Sequence, residues 1–187
     1  TNHNGIVNVI SDYLLKAHIP HKGGVRGRPK TYKDMFTHIT QALNSQDLNP
    51  EEHRVLQKII CDLLPDFRAL PEDVEDISTG PLAGHTVMVD VKTFACNGKY
   101  QGTNATPAED RQVQASAEYT RRGKETDTML KTPEGEEGPV MAEMRTYGSP
   151  PGRVLAPVVG AFAEMSSDMY ALADVISAAM TANHLQF

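Results

Sequence analysis

Residues 85–94 read HTVMVDVKTF. The stretch is β-branched and mostly apolar, carries no Gly or Pro, and follows a turn closed by Gly80-Pro81 and Gly84, which predicts a strand. Two charged residues stand inside it, Asp90 and Lys92. Alternation along a strand puts both on one face and points Val91 into the core. A carboxylate and an ammonium in an otherwise apolar strand are costly to bury unless paired or used. The plain alternative is an edge-strand ion pair facing water.

Working outward, residues 71–84 form an acidic turn with Glu72, Asp73, Glu75 and Asp76. Beyond it lie Asp62, in Cys61-Asp62, and Asp66, in Pro65-Asp66. An antiparallel hairpin between 58–70 and 85–94 would bring one of these carboxylates beside Asp90. Val55, Leu56, Ile59, Ile60, Leu63 and Leu64 fit one helical face, yet 58–64 also reads as a buried strand. Asn49-Pro50-Glu51-Glu52 is a helix start, with a capping side chain, Pro at the first position and carboxylates at the positive end of the dipole. Further helices are expected over 5–17 (capped by Asn4), 33–44, about 107–130, 139–147 and about 168–182, the last capped by Ser166, Ser167 or Asp168. Residues 153–162, RVLAPVVGAF, read as a second buried strand. The sum is an α/β domain with a small mixed central sheet flanked by helices. It spans residues 1–187, with a helical part over 1–50 and a core over 51–187. Opening on Thr1, it reads as a domain cut from something longer.

Apolar residues make up 40% of the chain, enough for a real core, so disorder throughout is excluded. The net charge of -6 excludes a uniformly basic coat for nucleic acid but not a local patch. Such a patch exists: Lys16, Lys22, Arg26, Arg28, Lys30 and Lys33 occur with no acidic residue between Asp12 and Asp34, all but Lys16 in a Gly/Pro-rich loop over 18–33. Within it, Arg26-Gly27-Arg28-Pro29 resembles an AT-hook, which inserts Arg side chains into a narrow minor groove. Phosphate contact needs only the clustered charge. No run approaches the roughly 18 apolar residues of a membrane span, and no signal-peptide layout is present. Cys61 and Cys96 are too few for a disulfide framework and read as buried thiols in a reducing compartment. The seven histidines are scattered, and His18 with His21 lacks the rest of a metal site.

Pro65-Asp66 followed by Asp90-Val91-Lys92 resembles the signature of the PD-(D/E)XK, or restriction-like, endonucleases. The chain is similar, more specifically, to nuclease-like domains attached to reverse transcriptases in eukaryotic mobile elements. The stretches that carry this are Leu56-Gln57-Lys58-Ile59-Ile60, Val89-Asp90-Val91-Lys92-Thr93, Asp110-Arg111, Tyr119 with Arg121-Arg122, Gly138-Pro139, and Val158-Val159-Gly160-Ala161-Phe162 with Glu164. In the family the Leu-Gln-x-Ile-Ile stretch runs directly into Pro-Asp, whereas here Cys61-Asp62 follows it. Ungapped matching therefore favours Asp62 as the first acid and the literal dipeptide favours Asp66; both are retained.

The resemblance implies a metal-dependent DNA endonuclease. Asp62 or Asp66, Asp90 and the Val91 carbonyl would hold Mg²⁺ or Mn²⁺ through oxygen ligands, and Lys92 would orient or deprotonate a water. Gln114, Glu118, Tyr119 and Arg122 are candidates for the polar residue that such nucleases add from the next helix. Lys22, Arg26, Arg28, Lys30, Lys33, Arg111, Arg121 and Arg122 are the expected DNA contacts. The partners implied are DNA, without a membrane, and a reverse transcriptase in the same parent chain, in an intracellular and nuclear setting. Two other functions stay open: a catalytically inactive nucleic-acid-binding module of the same fold, and a protein-interaction or assembly domain.

Overall fold

The structure, a computed structural model, describes residues 3–24, 36, 48–70, 82–94, 107–160 and 163–185. The expected helix over 33–44, most of the acidic turn, Cys96 and the basic residues Arg26, Arg28, Lys30 and Lys33 lie outside these. In chain order the described elements are α1 (His3–Lys16), β1 (His21–Gly23), α2 (Pro50–Gln57), β2 (Leu63–Pro65), a 3-10 turn (Phe67–Ala69), β3 (Met88–Val89), β4 (Lys92–Phe94), α3 (Pro107–Met129), α4 (Pro139–Arg145), β5 (Val154–Leu155), β6 (Val158–Gly160) and α5 (Ser167–Leu185).

The result is a mixed α/β fold. Its sheet runs β1-β2-β3-β5, with the first two pairings antiparallel and the third parallel, and β4 pairs with β6 in parallel. Val7, Ile10 and Leu14 of α1 and Leu172, Ile176 and Ala179 of α5 pack with Leu63, Val89 and Val91 in one core. Leu56 of α2, Tyr119 of α3, and Val140 and Met144 of α4 pack with Cys61, Leu64, Met88 and Val154 in another. The strand side chains thus sort to two cores by alternation.

Residues 85–94 differ in one respect from a single strand: the strand is interrupted at Asp90 and Val91, between β3 and β4. The register does not break. Met88 faces Val154, and Lys92 faces Val158, the same offset of residues on both sides of the gap. Asp90 N donates to Leu155 O and Lys92 N to Pro157 O, both at 2.9 Å. In a parallel ladder the next bond would run from the backbone nitrogen of residue 157 to the Asp90 carbonyl. Residue 157 is Pro and has no N–H to give.

Several boundaries follow local chemistry. At α2, Asn49 accepts from Glu52 N and the Glu52 side chain accepts from Asn49 N, a capping box ahead of Pro50. The ambiguous stretch 55–64 resolves as the end of α2, a turn, and then β2. Helix α1 begins at His3, so Asn4 lies within its first turn rather than capping it. The expected loop 18–33 contains a short edge strand, β1, on which Lys22 pairs with Leu64. Helix α4 is seated by Asp127, whose carboxylate accepts from Val140 N (2.8 Å) and Met141 N (2.9 Å). A Cβ at Gly138 would stand 2.2 Å from Asp127 Cγ, so only Gly admits this cap. At α5, Asp168 accepts from Ala156 N (2.8 Å) and from Arg153 (2.6 Å), tying the helix to the link between β5 and β6.

Candidate active site

The site is built around Val91. Its side chain is fully buried in the α1/α5 core. Its neighbours Asp90 and Lys92 turn to the other face, and Lys92 Nζ lies 2.6 Å from Asp90 Oδ2. Asp90 is 8% exposed. Burial pushes its carboxyl above the usual carboxylate value, Lys92 opposes that, the nearby Asp62 charge adds to it, and Arg122 of α3 pulls it down.

Asp62 reaches the site through a β-bulge. Leu63 is the ladder partner of Val89, yet Asp62 N also donates to Val89 O (2.9 Å), so two residues oppose one. The bulge shifts the alternation, which is why Cys61 and Leu64, three residues apart, pack in the same core. It leaves Val91 without a backbone partner on this side. Asp62 Oδ2 fills the gap, accepting from Val91 N at 2.8 Å. His3 Nε2, from the start of α1, stands 3.1 Å from Asp62 Oδ2 and 3.0 Å from Val91 O.

Asp66 is elsewhere. It pairs with Thr86, four ladder positions from Asp90 and hence about 13 Å along the strand. Arg68 holds it in a bidentate pair, Nε to Oδ1 and NH2 to Oδ2, each 2.8 Å, and this keeps its carboxyl below the usual range. Of the two acids that the motif left open, the structure brings Asp62 to the Asp90 strand and assigns Asp66 to a turn; the bulge makes the difference.

Helix α3 covers the same face, fastened to the sheet by Ser116 Oγ donating to Val154 O at 2.7 Å. Tyr119 is buried beside Cys61, Asp90 and Asp62, and burial first, then these groups, raises its hydroxyl well above the ordinary value. That hydroxyl has no hydrogen-bond partner among the described residues. Arg122 pairs with Glu118 and lowers its carboxyl, with Arg111 adding to the effect. Gln114 is not at the site: it is exposed and lies about 140° around the helix from Tyr119 at 3.6 residues per turn. Arg121 is also exposed, in a pair with Glu125, and Lys22 is exposed on β1.

Do these residues fit a cation? Among the described residues, no group of three or more His, Cys, Asp or Glu side chains is gathered for a metal. What is present is two carboxylates and a backbone carbonyl around one residue, all hard oxygen donors of the kind that suits Mg²⁺ or Mn²⁺. The Tyr119 hydroxyl beside them is a buried donor with no acceptor among the described residues. These oxygens are of the type that suits a hard divalent ion, but the described residues do not gather them into a metal-ligand group. Cys61 does not join them, since its thiol is buried, donates to Leu63 O, and is pushed up to about 12 by that burial.

His3 is the residue that the sequence did not single out. Nothing local marks it, because its partners are 59 and 88 positions away. No described helix is long and apolar enough to cross a membrane. The chain matches no protein-family model, no curated protein and no solved structure.

Proposed function

We propose that the chain is a metal-dependent endonuclease of restriction-like type that hydrolyses phosphodiester bonds in DNA for a mobile element, in a nucleus and joined to a reverse transcriptase. The observation that supports it best is the meeting of Asp62, Asp90 and Lys92 around Val91, in the order and at the strand positions that such chemistry uses. Asp62, Asp90 and Val91 O would hold Mg²⁺ or Mn²⁺, which when bound lowers the pKa of a coordinated water and offsets phosphate charge.

The chain's own groups supply the rest. Lys92 Nζ, anchored by Asp90, donates to a phosphate oxygen or to the attacking water. Arg122 brings a second positive charge toward the same face, and Arg111 extends it along α3. The Tyr119 hydroxyl donates to an oxygen arriving at the site. Water adds across the P–O bond, leaving one product with the phosphate and the other with a hydroxyl.

Plasmid nicking in Mg²⁺ or Mn²⁺ tests this. Asp90→Ala and Lys92→Ala should abolish product while circular dichroism and DNA binding persist. Cleavage at the native rate by both variants refutes the reading. One observation favours the inactive binding module instead: Lys92 and His3 already satisfy Asp90, Asp62 and Val91 O with nitrogen donors. Salt-sensitive DNA binding with no metal-dependent product would support that alternative.

A further inference from the structure

A second concave site lies on the same face of the sheet as Asp90 and Lys92. Lys22 stands opposite Leu64 in the pairing of β1 with β2 and so shares its face. Leu64 packs in one core with Met88, two residues before Asp90. Farther out on that face Asp66 bridges Thr86, about 13 Å along the strand from Asp90. Here a cavity of about 300 Å³ is lined by apolar groups from Pro20, Leu64 and Tyr147 and by polar groups from Lys22, Asp66, Arg68 and Thr86. The Asp66 carboxylate is already occupied: Arg68 Nε and NH2 each donate to it at 2.8 Å and Thr86 Oγ1 at 3.2 Å. That pair fixes the guanidinium in place yet draws on only part of its fork of N–H donors. The exposed Lys22 adds a positive charge that the pair does not cancel. The Tyr147 hydroxyl donates to Glu143, which leaves the ring as an apolar wall.

One surplus positive charge, oriented N–H donors and an apolar side match a nucleic-acid phosphodiester, which carries one negative charge, acceptor oxygens and the carbons of its sugar. Resting on the nuclease reading, we propose that this pocket holds one backbone phosphate of duplex DNA between Lys22 and Arg68, with its deoxyribose against Leu64 and Tyr147. The separation of about 13 Å from Asp90, at about 3.4 Å of duplex axis per phosphate of one strand, puts this contact about four nucleotides from the phosphate to be cut. A contact of this kind sets the register of the duplex on the protein and carries no sequence preference. Asp66 is then a positioning residue, which aims Arg68.

The test is the salt dependence of binding to a short DNA duplex in EDTA, read by fluorescence anisotropy. Each phosphate contact contributes about 0.9 to the slope of log affinity against log salt. Lys22→Gln should lower the slope by about 0.9, so that the native advantage over the variant shrinks about 3.5-fold between about 50 and 200 mM salt, equally on unrelated sequences. Lys22→Arg should restore it. Adding Arg68→Gln and Asp66→Asn to Lys22→Gln replaces an ion pair by a neutral one and should change the slope no further, because both cations serve one phosphate. Circular dichroism and a melting curve show that each variant is folded. An unchanged slope in folded Lys22→Gln, or a further fall of about 0.9 in the triple variant, overturns the shared phosphate site, while plasmid nicking that depends on Asp90 keeps the nuclease reading standing. A native chain with no affinity for duplex DNA at about 50 mM salt overturns both.

Discussion

Removing the ammonium from the Asp90–Lys92 pair is the perturbation whose size the structure best defines. Lys92→Met keeps the aliphatic stem and deletes the charge. Fully exposed pairs are worth about 0–1 kcal/mol, whereas stripping one partner from a buried pair costs about 3–5 kcal/mol. Here the side chains are 23% exposed for Lys92 and 12% for Asp90, nearer the buried limit. Arg122 remains close enough to offset part of the loss. The expected destabilisation at pH 7 is about 2–3 kcal/mol. With a urea slope of about 2–3 kcal/mol per molar, the midpoint should fall by about 1 M.

The pH dependence has a definite sign. Burial already holds the folded pKa of Asp90 above its ordinary 3.8, and loss of Lys92 raises it further. An acid raised on folding destabilises increasingly as pH climbs from the unfolded value through the folded one. Below 3.8 both states are protonated, so the variant should match the native chain there. Asp90→Asn/Lys92→Met, neutral at both positions, should recover most of the loss. Urea titrations at pH 7 and at about pH 3.5 measure all three proteins. A Lys92→Met penalty that persists at low pH, or a double variant no better than the single, refutes the account of Asp90 as a buried charge held by Lys92.

Asp127→Ala should cost about 1–2 kcal/mol by thermal unfolding, since it strips the cap from Val140 N and Met141 N; an unchanged melting temperature contradicts that assignment. Asp66 works in the opposite sense to Asp90: its carboxyl is lowered by Arg68, so it stabilises above its ordinary 3.8 and the contribution fades as pH falls through the folded value. Asp66→Asn should therefore lower stability at neutral pH by no more than about 1 kcal/mol and flatten the acid limb, with no effect on cleavage. In a Cys96→Ser background, Cys61 should resist iodoacetamide at pH 8 until the chain unfolds, because its thiol is buried and titrates near 12. Rapid labelling of the native protein would place Cys61 at the surface.

Much of the scaffold follows from local rules. The β-branched run 85–94 does lie along β3 and β4, Asn49-Pro50 does start α2, and α3 runs close to the expected 107–130. What escaped is non-local. The split at Asp90 arises because Pro157, on the partner strand, lacks an N–H. The choice between Asp62 and Asp66 turned on a one-residue bulge, which no periodicity reveals since it changes the period itself. His3 lies 59 and 88 positions from Asp62 and Val91. Gln114 and Arg121 looked equivalent to Tyr119 and Arg122 as polar helix residues, and only the packed face of α3 separates them.

That bulge also decides which substitutions carry information about chemistry. Asp62 has a structural duty, because its carboxylate accepts the Val91 N–H that the diverging strand no longer pairs. Leaving a partly buried N–H unsatisfied costs about 1–3 kcal/mol, so Asp62→Ala loosens the strand that carries Asp90 and Lys92. An inactive Asp62→Ala chain would thus say little about catalysis. Asp62→Asn is the sharper probe, since its amide oxygen can still accept from Val91 N while the charge is gone. Metal binding and cleavage lost together from a chain as stable as the native one would place the Asp62 charge in the reaction. Activity retained by that variant would confine Asp62 to holding the strand.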